Sequence, residues 1–163
     1  MDLQQRIEEL DARLRAAEDQ LEILRLLNAY GPLVDSGAAT EAARLWADGG
    51  SYDFTGAAGD AIRAEAPLGL VALYESRAHT ELIAAGAAHL TATPAITVHS
   101  DTAEAVGYSF VVCRVGSQWQ VRRAAVNHWA LARTGSGWRI TRRVNRILDG
   151  SPESHAIMRM VLA

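Results

Sequence analysis

The chain has 163 residues, 49% of them hydrophobic and 21% charged, with a formal net charge of −3. That length suits one domain with a sizeable core, and the composition excludes a disordered chain. The acidic balance and the lack of a long basic run argue against nucleic acid as the main partner, and no stretch approaches membrane-spanning length.

The N-terminal MDLQQRIEELD lacks the basic-then-apolar pattern of a secretion signal, so a cytoplasmic protein with no membrane partner is expected. Leu3, Ile7, Leu10, Leu14, Ala17, Leu21 and Leu24 recur three and four residues apart between charged residues, a heptad seam of about three repeats. Residues 1–20 therefore read as a helical arm continuous with the first core helix, and its narrow seam predicts self-association into a dimer or trimer. From Leu21 to Asp35 the apolar stripe of Leu21, Leu24, Leu27 and Val34 is widened by Ile23, Leu26 and Leu33, so this part is expected to be buried. It ends in Asp35 before Ser36-Gly37. A carboxylate on the last turn of a buried helix needs a partner or water. Pro32 predicts a kink or early stop near Asn28 to Gly31.

A short helix with Thr40 as N-cap and running to Trp46 follows, then a turn at Asp48-Gly49-Gly50 and a short strand over Ser51 to Phe54. The next ten residues or so, rich in Gly and Ala, read as loop. Pro67 starts another helix, LGLVALYES. Leu82 to Ala88 carries no decisive pattern. From His89 the texture becomes that of strands. HLTATPAITVHS, TAEAVGYSFVVCRV, QWQVRRAAVNHWALART and WRITRRVNRIL form four long strands divided by Ser100-Asp101, Gly116-Ser117 and Gly135-Ser136-Gly137. Helices first and strands afterwards predict an α+β fold, helices on one face of an antiparallel sheet. A helical tail over 151–163 closes the 21–150 domain. By alternation Asn127 shares a face with Trp129 and Leu131. Trp138, Ile140 and Val144 share another, with Arg143 opposite unless a bulge intervenes. The single Cys113, in SFVVCRV, reads as a small core residue.

The helix ending LVDSG, then EAARLWADGGSYDF, the His in AAHLTATPAI, the strand HSDTAEAVGYS and the hairpin RTGSGWRITRRV together resemble the nuclear transport factor 2-like superfamily in its SnoaL-like branch. The likeness spans about Leu21 to Asp149. It implies a cone: a strongly bent antiparallel sheet, an α+β barrel, wrapped around the N-terminal helices, with a pocket at its open end. The superfamily is functionally mixed, including polyketide cyclases, ketosteroid isomerases, scytalone dehydratase, hexachlorocyclohexane dehydrochlorinase, oxygenase subunits and binding modules, so residues must decide function.

By that resemblance Asp35 and His89 match a catalytic dyad, His89 as general base and Asp35 as its orienting partner. Asn127 matches an Asn that the dehydratase aims at its substrate, and Arg143 an Arg in the dehydrochlorinase pocket. Tyr30 stands where the latter has Lys. Of the dehydratase's two tyrosines, one position holds Val34 and the other Phe54, and its second pocket His falls near Val115. Trp46, Phe54, Tyr74 and Tyr108 are candidate pocket walls. No His, Cys, Asp and Glu set has metal-ligand spacing, and no nucleotide or phosphate motif occurs, so neither metal nor cofactor is expected. The expectation is a small cofactor-independent lyase or isomerase acting on an apolar, cyclic molecule. The alternatives are a non-catalytic ligand-binding or assembly domain and a structural subunit of a ring-hydroxylating oxygenase.

Overall fold

A computed structural model describes residues 2–56 and 59–162. Helix α1 runs without interruption over Leu3–Asp35. Asp2 caps it: its carboxylate accepts from Gln5 N–H while the Gln5 side chain returns to the Asp2 N–H. Pro32 lies inside the helix and does not end it. So close to the C-terminus it removes one bond, to Asn28, and Asn28 is exposed, where water can satisfy the freed carbonyl. Gly37, at φ 76°, takes the left-handed conformation that stops the helix.

Every residue from Asp2 to Glu18 is exposed, including the seam residues Leu3, Ile7, Leu10 and Leu14. Contact with the sheet begins at Asp19, whose carboxylate accepts from Arg133 and from Trp138 Nε1. Beyond it the buried stripe is Ile23, Leu27, Tyr30 and Val34, while Leu21, expected in the core, is exposed.

The second helix, α2, is Ala39–Ala43, capped at Ala38 rather than Thr40, and Trp46 already belongs to strand β1, Trp46–Thr55. Asp48-Gly49-Gly50 is therefore not a turn but an irregularity inside β1. The expected loop contains strand β2, Ala61–Glu65, antiparallel to β1. Its short alternation is hidden between Gly/Ala-rich flanks. Helix α3, Leu68–Tyr74, follows Pro67 as read, and the unassigned stretch is divided: Leu82 to Ala84 end helix α4, Arg77–Ala84, and Ala87 and Ala88 open the next strand. The first of the four long strands divides at Ala92 to Pro94 into β3, Ala87–Thr91, and β4, Ala95–His99. Both pair antiparallel with β5, Thr102–Val115. Strands β6, Gln118–Thr134, and β7, Gly137–Ile147, complete a seven-stranded sheet in the order β2-β1-β7-β6-β5-β3, with β4 also on β5. The pairing of β1 with β7 is parallel, the one departure from the expected meander.

The fold is α+β, with a long N-terminal helix against a curved, unclosed sheet. Its core joins the α1 stripe to Ala103, Ala105, Trp129, Leu131, Trp138 and Ile140. The tail helix α5, Pro152–Arg159, covers the other face, where Ile157 packs on Val106 and Val126; Met160 and Val161 beyond it are exposed. Cys113 is buried. Among the described residues no helix is long and apolar enough to cross a membrane, and no group of three or more His, Cys, Asp or Glu side chains is placed to hold a metal.

Candidate active site

Asp35 stands on the last turn of α1, the negative end of the helix dipole, where a carboxylate is unfavourable without donors. Two are supplied by one residue. The His89 backbone N–H donates to Oδ2 at 2.7 Å, and the ring Nδ1 lies 2.5 Å from Oδ1. An ionised carboxylate only accepts, so Nδ1 carries the hydrogen and Nε2 is left with its lone pair. Among the described residues Nε2 has no hydrogen-bond partner. The side chains of His89 and Asp35 remain 17% and 20% exposed, open enough for exchange with solvent. The two meet because α1 crosses β3 at Gly31. A Cβ there would collide with the His89 carbonyl oxygen, so only glycine lets the helix lie close enough for Asp35, one turn on, to reach His89.

Aromatic rings surround the pair. Tyr30 is edge-on to His89 at 6.4 Å and to Tyr74 at 6.1 Å, and the His79 ring is 5.6 Å from His89. His79 Nδ1 donates to the Tyr74 carbonyl at 2.7 Å, while His79 Nε2 and the Tyr74 hydroxyl are buried without partners. Burial holds His79 below the ordinary imidazole value. Burial, with Tyr52 nearby, pushes the Tyr30 phenol up to about 12, and burial also raises Tyr74. Both phenols therefore stay protonated at neutral pH and can donate.

Arg143 is 3% exposed, a position that alternation from Trp138 and Ile140 had turned outward. The reason is a bulge: Leu131 pairs with Ile140 but Ala130 with Arg142, so Thr141 is an extra residue in β7. Beyond it Arg143 and Asn145 face inward, and Val144 packs on the outer face. The Arg143 guanidinium lies 4.6 Å from the ring centres of Tyr30 and Tyr52 and 5.4 Å from that of Trp129. Its Nε donates to Asn127 Oδ1 at 2.9 Å. Asn127 is fully buried. The same oxygen accepts from Asn145 at 2.7 Å, and Nδ2 donates to the Gly107 carbonyl and to Ser109 Oγ. Its bonding capacity is spent, so it holds Arg143 in place and has nothing left for a ligand. Arg123 extends the line, donating to Asn145 Oδ1 at 2.7 Å.

Of the expected walls, Trp46 and Tyr74 are buried, and Phe54 is partly buried against Tyr52 at 4.7 Å. Tyr108 does not belong. It is 44% exposed and pairs with Val126 on the face opposite Asn127. The sequence reading missed Tyr52, Asn145, Arg123 and His79. Two of these were within reach, since Tyr52 and Asn145 stand two residues from Phe54 and Arg143 on the same strands. The expected cavity at the dyad is not among the concavities described. One of about 370 Å³ is lined by Arg44, Trp46, Pro67 and Arg139 among others. Another of about 550 Å³ lies beneath the arm, between Arg15, Glu22, Asp101 and Arg133.

The SnoaL-like domain family matches residues 15–144, four fifths of the molecule. The chain belongs to the SnoaL-like family, within the nuclear transport factor 2-like superfamily. An NTF2-like protein with a cystatin-like fold from Novosphingobium aromaticivorans is similar at 38% identity, over 96% of this chain and 97% of that one, with a TM-score of 0.87. A protein of unknown function, Rv3472 from Mycobacterium tuberculosis, shares the fold at 21% identity, over 94% and 90% of the two chains, with a TM-score of 0.67. ActVI-ORFA from Streptomyces coelicolor shares it at 17% identity, over 81% and 96%, with a TM-score of 0.69. Among curated proteins no match is found. The family supports a small-molecule-binding domain of this SnoaL-like chain.

Proposed function

We propose that this SnoaL-like chain is a small cofactor-independent lyase or isomerase that removes a proton from carbon, or from a water, with His89 as general base. The observation that carries this is the double hydrogen bond from His89 to Asp35. Oδ1 fixes the tautomer that leaves Nε2 free to accept, and Oδ2 fixes the backbone behind it. As Nε2 takes the proton the ring becomes an imidazolium, which the carboxylate stabilises without accepting the proton itself. Negative charge grows at the same moment on a substrate oxygen or leaving group. The protonated Tyr30 and Tyr74 hydroxyls and the Arg143 guanidinium are the groups that would receive it. Asn127 positions Arg143. The partnerless His79 Nε2 and Tyr74 hydroxyl support the same region as a ligand site, because buried polar atoms are seldom left unpaired.

The test is proton exchange in heavy water with a panel of cyclic ketones, alcohols and halides, followed by NMR. Wild-type protein should exchange a C–H, or eliminate, with at least one compound, and His89→Ala should reduce that rate by about 100-fold or more. Equal rates for the two proteins would overturn the general-base role. The binding-domain reading draws support from the packed rings beside His89. It expects ligand binding with no turnover in the same assay.

For assembly we propose that the exposed seam from Leu3 to Leu14 pairs with the same seam of a second copy. None of the described residues buries it, and the acids and bases flanking it are mixed, so identical arms can associate without a block of like charge.

A further inference from the structure

Four polar side chains cross the inner face in a line, and no carboxylate stands among them. Arg123 donates to Asn145, Asn145 and Arg143 both donate to Asn127, and Asn127 is anchored on Ser109 and Gly107. Ion pairs among the described residues engage Arg63, Arg77, Arg133 and Arg146, but neither Arg123 nor Arg143. Two acids on neighbouring elements are committed elsewhere: Asp35 to His89, and Asp53 to Arg146 on the outer side of β1. Arg143 is buried and Arg123 half-buried, so two like charges share one face, where among the described residues amide oxygens, the Tyr30 phenol and ring faces compensate them. Burial, together with the Arg143 charge, pulls Arg123 below the ordinary guanidinium value. A charge taken out of water in this way calls for an opposite one.

A site that stabilises charge only in a transition state needs donors, and the two phenols supply them. Two formal cations without an acid go further. Resting on the general-base reading, we propose that the substrate is a planar unsaturated molecule already carrying one negative charge, with its anionic group between Arg123 and Arg143 and its frame against Tyr52 and Phe54. A carboxylate and a phenolate share that chemistry. Guanidinium groups suit both, a carboxylate through paired N–H donors and a phenolate through one oxygen.

Binding is measured by isothermal titration calorimetry at low salt with 2-naphthoate, 4-nitrophenolate and the neutral 2-naphthamide. At least one anion should bind about tenfold or more tighter than 2-naphthamide, and the stronger anion separates carboxylate from phenolate. Arg123→Gln, at a half-buried position, should weaken that anion by about tenfold and leave 2-naphthamide unchanged. Arg143→Gln should weaken it further, with circular dichroism checking that the variant is folded. Equal affinity for 2-naphthoate and 2-naphthamide, indifference to Arg123→Gln, or no binding of any probe at millimolar concentration would overturn the proposal. His89→Ala should retain anion binding. Anion binding through Arg123 with turnover untouched by His89→Ala would sink the general-base reading alone.

Discussion

Gly31→Ala sets two well-measured effects against each other. Replacing glycine by alanine inside a helix stabilises by roughly 0.5–1 kcal/mol through chain entropy alone. Here the new methyl would sit on the carbonyl oxygen of His89 and also meet His89 Cβ. That oxygen belongs to a strand paired with β5, His89 opposite Val111, so it cannot swing aside without disturbing the pairing. Forcing a methylene into a packed site costs typically about 1–3 kcal/mol, and a backbone obstacle belongs at the upper end. The net expectation is a loss of about 1–2 kcal/mol, which for a chain of this size lowers the melting temperature by roughly 2–8 °C. The site should suffer more than the fold. Relieving the collision moves α1 off β3, and Asp35, on the next turn, moves with it, so the Asp35–His89 bonds lengthen. Urea unfolding measures the first effect, and the His89 Nδ1–H resonance in NMR the second. A variant more stable than wild type, with an unshifted imidazole proton, would show that α1 and β3 do not approach as described.

Trp138→Ala should cost roughly 3–5 kcal/mol in urea unfolding, since Trp138 is 2% exposed, donates to Asp19 and lies under Arg133; a loss below about 1 kcal/mol would refute its place in the core. Removing residues 1–16 should lower the oligomeric mass seen by light scattering, and an unchanged mass would exclude the arm as the interface. His79 titrates below its unfolded value, so between the two values the unfolded chain binds the extra proton and stability falls as pH drops below about 6.5. His79→Asn should therefore flatten the decline in urea midpoint between about pH 7 and pH 5, and a steeper decline would contradict the burial of that ring.

The Asp35–His89 contact was expected from the resemblance, which set the two residues at matching positions of a family pair, whereas local pattern marked only Asp35, a carboxylate ending an apolar helix and in need of a partner. The boundaries of β5, β6 and β7 were legible because turns delimit them, Ser100-Asp101 before β5 and glycine turns after β5 and β6. Arg143 was not, and the reason is geometric. Period-two alternation carries no record of an inserted residue, and Thr141 has nothing unusual about it as a side chain; it is extra only relative to β6. The mark lay elsewhere. Ala47 to Gly50 of β1 fall opposite that same point of β7, between the pairs Trp46–Ile140 and Ser51–Arg142. A Cβ on Gly50 would collide with the Ile140 and Ala47 carbonyls. Asp48-Gly49-Gly50, read as a turn, is the partner of a bulge: Gly49 takes the left-handed conformation at φ 73°, Gly50 allows the close approach, and strand pairing resumes on both sides.

That bulge decides which half of Arg142-Arg143-Val144-Asn145-Arg146 faces the site. With unbroken alternation after Ile140, Arg142, Val144 and Arg146 would point inward. Arg146 would then lose Asp53 and Glu153, which it bonds at 2.8 and 2.6 Å, and α5 would lose the Val144 beneath it. With Thr141 inserted, the same five residues give the inner face a guanidinium and an amide and give α5 an apolar seat and an ion pair. Residues before the bulge, Trp138 and Ile140, are plain core against α1. A single strand thus serves as dry core at one end and as polar site at the other, and the change falls where β1 and β7 are both irregular. Docking of α5 on the outer face and burial of Arg143 on the inner face rest on one register, so a slip of β7 by one residue would undo both together.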